Sequence, residues 1–309
     1  MRIAVLDLGT NTFHLIIAER TQGEIRILQR ESEFVWLGKG GIDKGIITPE
    51  AETRALQTLT RYKEIINLHR VDKIEGTATS AIRNARNGEE ILRRIKEETG
   101  LKIRSIDGDE EAKLIYYGID FSVPLDRHPA LIMDIGGGSV EFILGNEEGI
   151  LWKQSFEIGA QRLLSKFGNE DPMAPEDLDG LHEYVRQSLQ PLLEQIKIVK
   201  PRRLIGSAGT FDTLKKIHVQ AICGLPSVED EELAYDIPVQ DYQKIHQMFL
   251  TLPRQDRLQI PGMIVQRADV IVVASALLDF VLKQTGFQQF TIASGSLREG
   301  LVYKHLVLT

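Results

Sequence analysis

The sequence predicts an α/β protein built as two similar halves. Strand-like and helix-like stretches alternate along all 309 residues, the pattern of residues 3–17 returns at residues 130–144, and each copy closes on an Asp-x-Gly turn followed by small residues.

The elements follow in order. Ile3–Asp7, His14–Arg20 and Glu24–Arg30 read as three short strands joined by tight turns, with Gly23 marking the second. Pro49 opens a helix, and Ala51, Ala55, Leu59, Tyr62 and Ile66 keep one apolar face through His69. Lys73–Ala78 is a strand, Gly88–Thr99 an amphipathic helix stopped by Gly100, and Ile103–Ile106 a strand. Asp109–Ile119 is a helix with acidic residues at its N-terminal end, where the helix dipole favours them. In the second half Ala130–Asp134, Val140–Leu144 and Ile150–Phe156 are again three successive strands. Pro175–Ile198 reads as largely helical, Arg203–Ile205 as a strand, Ala268–Lys283 as a long apolar helix, Phe290–Ala293 as a strand and Leu297–Val307 as a terminal helix. Segment 218–236 has no clear period and reads as loop. Pro124 and Pro129 bracket a polar stretch at Ser122–His128, so the domains are expected at 1–124 and 125–309, with the helix at about 297–309 packing back on the first.

The duplication carries the chemistry. Asp7-Leu8-Gly9-Thr10-Asn11-Thr12 aligns without a gap on Asp134-Ile135-Gly136-Gly137-Gly138-Ser139. Small residues let a hairpin close tightly and bring backbone N–H groups against a ligand, and Thr10, Thr12 and Ser139 add hydroxyl donors. An Asp ending the first strand of each copy is placed to hold a hydrated magnesium ion or a water. One such hairpin could be an ordinary turn, but two matching copies imply a phosphate clamp in a cleft between the domains. A third element, Gly206-Ser207-Ala208-Gly209-Thr210, runs from a strand into a helix, whose first N–H groups favour an anion.

Bulk properties narrow the class. The formal net charge is −7, which argues against DNA or RNA as a partner, although a local basic patch can still take a phosphate chain. No stretch approaches the apolar length of a membrane span, Met1–Asp7 reaches a carboxylate too early for a signal peptide, and the one cysteine, Cys223, excludes an internal disulfide and a cysteine-cluster metal site. A cytoplasmic protein is expected. Nucleotide P-loop, zinc-protease and serine-hydrolase motifs are missing.

Two Asp-x-Gly hairpins and a later Gly-x-x-Gly-Thr turn resemble the sugar kinase, actin and heat-shock chaperone ATPase superfamily. Within it, Asp134–Phe142 is similar to the Asp-x-Gly-Gly-Gly-Ser-x-Glu motif of the exopolyphosphatase/guanosine pentaphosphatase (Ppx/GppA) phosphatases. Asp7–Leu15, Thr77–Ala85, Glu110–Gly118 and Leu297-Arg298-Glu299-Gly300 resemble further motifs of that family, in family order, and the chain stops just after the last, as a short form. The resemblance implies two ribonuclease H-like (actin-like ATPase) domains with a cleft between them. It implies a magnesium-dependent hydrolase that removes terminal phosphates from polyphosphate or guanosine pentaphosphate. Glu111 then orients or deprotonates the water, in preference to Glu110. Asp134 is the leading magnesium ligand, with Glu141 beside it and Asp7 in the other half. Gly136, Gly137, Gly138 and Ser139 cradle the reacting phosphate, with Gly9, Thr10, Asn11, Thr12, Gly206, Ser207, Gly209 and Thr210 as further phosphate contacts. Arg83 neutralises the substrate, and Arg267 is a further candidate.

Arg86, Arg93, Arg94 and Lys96 read mainly as a solvated helix face, and His14 as structural. Cys223 has no assignable His or Asp partner and reads as structural too. An ATP-dependent kinase of the same fold and a non-catalytic guanosine tetra- or pentaphosphate binder are the competing readings. The choice between polyphosphate and guanosine pentaphosphate stays open at this stage, as does the oligomeric state, a homodimer included.

Overall fold

The computed structural model describes residues 1–226 and 232–308. The chain divides into two compact units, Met1–Phe121 with Leu297–Thr309, and Ser122–Ser296.

The first unit is a five-stranded sheet: β1 (Arg2–Leu8), β2 (Thr12–Thr21), β3 (Glu24–Phe34), β4 (Lys73–Ala78) and β5 (Ile103–Ser105), ordered β3-β2-β1-β4-β5. The first three strands form an antiparallel meander, and β4 and β5 run parallel to β1. Helix α1 (Pro49–His69) starts where Thr48 accepts a hydrogen bond from the Ala51 N–H and Pro49 fills the first turn. Its predicted face, from Ala51 to Ile66, is buried. Two helices follow β4, the single turn α2 (Ser80–Arg83) and α3 (Gly88–Thr99). Next comes α4 (Gly108–Ser122), and the terminal helix Leu297–Leu306 lies on β1 and β2. Where it meets α4 the backbones nearly touch, since a Cβ on Gly300 would fall 1.8 Å from the Leu114 carbonyl oxygen.

The second unit repeats the plan with β6 (Ala130–Ile135), β7 (Val140–Asn146), β8 (Gly149–Phe156), β9 (Arg203–Ser207), β10 (Ala234–Pro238) and β11 (Gln289–Ala293), ordered β10-β11-β9-β6-β7-β8. Every residue of β6 and β7 is buried, which is why both are apolar on both faces, apart from Asp134, Glu141 and Asn146, rather than alternating. The helices are α5 (Ala160–Phe167), α6 (Pro175–Ser188), α7 (Gln190–Val199), α8 (Gly209–Ile217), α9 (Val239–Thr251), the single turn α10 (Arg254–Arg257) and α11 (Val270–Thr285). Helix α11 is buried from Val270 to Leu282 and packs against α5, α6 and α9, so its apolar run is a core helix.

Three sequence expectations need correction. The 175–198 helix is two, because Pro191 in the first turn of α7 cannot continue the ladder of α6. Segment 218–236 is not all loop: residues His218–Ile222 form a π-helical turn and Ala234–Pro238 form an antiparallel edge strand on β11, while 227–231 lie outside the described residues. Helices α5, α9 and α10 had no counterpart in the reading. Among the described residues no helix is long and apolar enough to cross a membrane.

Candidate functional site

In both units the parallel strands end at the same side of the sheet, and the predicted residues lie on the turns beyond those ends, where open α/β sheets bind ligands. In the first unit these are the hairpin after β1, Arg83 after β4 and Glu111 after β5. In the second they are the hairpin after β6 and the turn after β9.

The two hairpins close identically. The N–H of Gly9 donates to the Thr12 carbonyl at 3.1 Å, and that of Gly136 to the Ser139 carbonyl at 3.1 Å. Three further carbonyls of the second hairpin and two of the first are tied back into the fold. In the second unit the first N–H groups of α5 take them all: Gly159 to Gly138, Ala160 to Gly136 and Gln161 to Gly137, at 3.1, 2.9 and 2.8 Å, with Arg162 Nε also on Gly138. In the first unit Gly38 donates to the Thr10 carbonyl at 3.0 Å and Trp36 to that of Asn11 at 2.8 Å. With the carbonyls engaged, the opposite side of each loop presents N–H groups, the arrangement of an anion nest. The buried Asn11 Oδ1 and Thr12 Oγ1 have no hydrogen-bond partner.

The duplication also extends sideways across each sheet. Asp7 pairs in register with Thr77 on one side and His14 on the other, and His14 with Ser32. Asp134 pairs likewise with Ser207 and Glu141, and Glu141 with Ser155. Registered residues share a face, so each unit carries one polar row. Ser207 Oγ donates to Asp134 at 2.5 Å and Ser155 Oγ to Glu141 at 2.6 Å. Asp134 and Glu141 are therefore two buried carboxylates directly opposite each other, only 7% and 1% exposed.

The acidic pair at the start of α4 separates clearly. Glu110 faces outward in a bidentate pair with Arg104 at 2.7 Å and a contact to Lys304, and Arg104 holds its carboxyl below the usual glutamate range. Glu111 is buried and accepts from Arg83 Nη1 at 2.6 Å, while the same nitrogen donates to the Ile106 carbonyl. Arg83 thus brings its guanidinium to Glu111 rather than standing on an exposed helix face. The arginines beyond it are engaged elsewhere: Arg93 with Glu97, Arg94 with Glu52 and Glu98, and Arg86 with the Lys44 carbonyl.

The turn after β9 is strained. Ala208 has φ 68° and ψ 178°, a region almost confined to glycine. A Cβ on Gly209 would fall 1.7 Å from Arg267 Nη2, so the Arg267 guanidinium lies against the backbone that opens α8. That guanidinium therefore stands beside the positive end of the helix dipole. Ser207 and Thr210 are buried beside it. Among the described residues, positive φ at non-glycine positions also occurs at Gln22 in the β2–β3 turn, at Arg70 and Lys200 capping helices, and at Trp36. Trp36 and Ala208 alone sit in or against the ligand-side turns.

Sequence reasoning missed Gly159, Ala160, Arg162, Gly38 and Trp36, which support the loops from elsewhere in the chain and carry no motif of their own. It also missed the surroundings of Cys223, whose Sγ lies 3.7 Å from His218 Nδ1, while His218 Nε2 lies 3.3 Å from Asp241. The expectation that no such partner exists is overturned, because the π-helical turn and the first turn of α9 bring the three together. Among the described residues no group of three or more His, Cys, Asp or Glu side chains is placed to hold a metal ion on its own.

Two ribonuclease H-like units, each with a carbonyl-tethered Asp-x-Gly hairpin, define a phosphate-handling protein of the actin-like ATPase fold. The chain belongs to the Ppx/GppA phosphatase family, which matches residues 16–308. It is 28% identical over 301 residues to a Haemophilus influenzae protein provisionally named an exopolyphosphatase, spanning 97% of this chain and 90% of that one. An exopolyphosphatase structure from Cytophaga hutchinsonii superposes with a TM-score of 0.95 at 43% identity, over 99% of this chain and 98% of that one. The Aquifex aeolicus member of the Ppx/GppA family shares the fold, with a TM-score of 0.82 at 24% identity over 100% of this chain and 98% of the other.

Proposed function

We propose that the protein hydrolyses phosphoanhydrides, releasing terminal orthophosphate from inorganic polyphosphate or the terminal 5′-phosphate of guanosine pentaphosphate. The observation that carries this reading is the pair of hairpins whose carbonyls are bound inward, leaving N–H groups for phosphate oxygens. Phosphoryl transfer asks little covalent chemistry of a protein; it needs a positioned water and stabilised equatorial oxygens. Glu111, buried beside Arg83, orients or deprotonates the water, and Arg83 balances its charge and that of the incoming phosphate. Gly9–Thr12, Gly136–Ser139 and the Gly206–Thr210 turn with Arg267 supply the oxyanion contacts.

Magnesium fits the residues present. Two buried carboxylates opposite each other repel unless a cation or protons join them, and oxygen donors suit that ion. Mg²⁺ commonly takes one or two carboxylates and completes its shell with water and substrate phosphate, so Asp134 with Glu141 suffices without a larger cage. Asp7 holds the corresponding position in the first unit. Bound there, the ion neutralises phosphate charge.

The test is phosphate release from polyphosphate and guanosine pentaphosphate measured side by side, with and without magnesium, for the wild type and Glu111→Gln. The variant is expected to keep its fold and lose roughly two to four orders of magnitude in turnover, the scale of a lost general base. Phosphate transfer from ATP to an added acceptor in place of release would establish a kinase instead. Tight guanosine tetraphosphate binding without turnover of either substrate would establish a binder.

A further inference from the structure

We infer that Cys223 is a modification site for small disulfides: its thiol exchanges with them, His218 takes up the thiol proton, and Asp241 and Tyr235 hold His218 in place. The site lies in the second unit, outside the hairpins and the polar rows, and the inference does not depend on the hydrolase reading.

The first support is the turn that makes the pair. In an α-helix, residues five apart stand about 140° apart around the axis, so their side chains diverge. Residues His218–Ile222 instead form a π-helical turn, and the Cys223 N–H donates to the His218 carbonyl at 2.9 Å. The wider turn brings the two side chains to one side, with Cys223 Sγ 3.7 Å from His218 Nδ1. Turns of this kind recur at functional sites.

The second support is the set of partners around the imidazole, which come from two further elements. The hydroxyl of Tyr235, on β10, lies 2.8 Å from His218 Nδ1, and Oδ2 of Asp241, in the first turn of α9, lies 3.3 Å from His218 Nε2. Lys244, and after it His218, hold the Asp241 carboxyl below the usual range, so it is ionised and accepts the Nε2–H. That leaves Nδ1 as the basic nitrogen, and Nδ1 is the one beside the sulfur. Burial, and after it the neighbouring Cys223, push the Tyr235 hydroxyl up to about 12, so it stays a donor. Once the thiol proton has moved, the sulfur therefore faces two donors, the Nδ1–H and the Tyr235 hydroxyl. Lys215 adds a cation with its ammonium 5.5 Å from the Tyr235 ring centroid, and Glu232 stands 3.9 Å from that ammonium. A nucleophile within reach of a base, with a third group orienting the base, is the arrangement that activates side-chain nucleophiles.

The third support is access. Cys223 is exposed, whereas His218 is only 5% exposed. A reagent can reach the sulfur while the base stays shielded from bulk water. A small disulfide suits this arrangement. The Cys223 sulfur attacks one of its sulfurs, the old S–S bond breaks as the new one forms, and the departing thiolate takes the proton from His218. One thiol is consumed and one released, with no further oxidant. With one cysteine in the 309 residues, no second thiol of the chain displaces the attached group, so the mixed disulfide lasts until an outside thiol removes it.

The experiment measures the second-order rate of exchange with dithiodipyridine in the full chain at about pH 6, where an ordinary cysteine is almost all thiol. The single cysteine means that the released chromophore reports Cys223 alone. The reference is the same chain unfolded in urea. The folded wild type is expected to react about tenfold faster than the reference, His218→Gln to fall to the reference rate or below, and Asp241→Asn to lose about half of the gain or more. A wild-type rate within about twofold of the reference, or slower, overturns the inference, and so does a folded His218→Gln that keeps the wild-type rate. If His218→Gln does not fold, the partly exposed Asp241 decides: an unchanged rate in Asp241→Asn overturns the inference. Glutathione disulfide is then expected to leave one mixed disulfide per chain by intact mass, reversed by dithiothreitol; no adduct overturns it.

Discussion

Gly159→Ala tests the phosphate loop without touching a single candidate ligand. Gly159 has an ordinary backbone conformation, φ −61° and ψ 162°, so the substitution carries no conformational penalty of its own. Its effect is steric. The new Cβ would stand 2.4 Å from the Gly138 carbonyl carbon and 2.5 Å from both the carbon and oxygen of the Gly137 carbonyl. Comfortable carbon contacts begin near 3.5 Å, so either the loop or the start of α5 must retreat by about 1 Å. All three crowded atoms are backbone, and no side-chain rotation relieves them. The retreat strains the bonds from Gly159, Ala160 and Gln161 to the loop carbonyls, and overpacking of this kind costs about 1–3 kcal/mol. Misplacing a positioning element by about 1 Å can lower a rate about a hundredfold. The assay is phosphate release at saturating and limiting substrate, with urea unfolding alongside. Gly180→Ala is the control: it lies in α6, its Cβ would come no nearer than 3.4 Å to the Phe167 ring, and alanine favours a helix interior by about 0.5–1 kcal/mol. If Gly159→Ala matches the wild type in both turnover and stability, the loop is not clamped as described, and the case for a preformed N–H cradle fails.

Two further outcomes follow from the structure. Asp134→Asn is expected to lower activity and flatten the magnesium activation curve together, because a neutral amide is a poorer partner for a hard dication; an unchanged magnesium curve would place the ion elsewhere. Burial pushes His246 down to about 4 despite Asp279 nearby, with Lys283 and His182 acting in the same direction as burial. Between about 6.5 and about 4 the unfolded chain binds a proton that the folded chain refuses, so stability is fully present above 6.5 and is lost as pH falls through that window. The loss is about 3 kcal/mol, and urea titrations across the window should show a shallower slope for His246→Asn; an unchanged slope would assign the acid sensitivity to other groups.

Much of the fold was legible because it is periodic and repeated. Ten of the strands and the long helices were found from alternation, from apolar faces such as Ala51–Ile66, and from stops such as Gly100. The strand that escaped, Ala234–Pro238, is an edge strand with only Ile237 buried, so it shows no apolar pattern. The break between α6 and α7 was marked by Pro191, but the apolar residues on both sides continue the helical spacing across it. At the site, the residues with a side-chain role stand in motifs and were named. Glu111 and Glu110 could be ranked only by resemblance, because their difference lies in partners far along the chain, Arg83 for one and Arg104 with Lys304 for the other. The supports of the hairpins were illegible for a related reason. Gly159 and Trp36 act through backbone contacts, and one sequence without its fold says nothing about where a carbonyl points.

The duplicated polar rows differ where a division of labour requires it. Threonine or serine, aspartate, a variable residue and serine follow in the same order across each sheet, and the variable position is His14 in the first unit and Glu141 in the second. Around His14 the charge is basic: Arg298 Nη1 donates to its Nδ1 at 2.7 Å, and Ser32 Oγ lies 2.7 Å from the same nitrogen. Arg298 is itself braced by the buried Glu299, which also holds Arg30 at 2.5 Å. Around Glu141 the charge is acidic, with Asp134 directly opposite. Both rows keep the aspartate, so on the proposed reading the basic neighbours of the first row offset one carboxylate, whereas the second row needs a cation to offset two. On that reading one hairpin plan serves two electrostatic settings, separated by His14 or Glu141 at the variable position and by the Arg298 bound to His14. We propose that magnesium is held in the second unit, since a metal at His14 Nδ1 would have to displace Arg298 from its hydrogen bond.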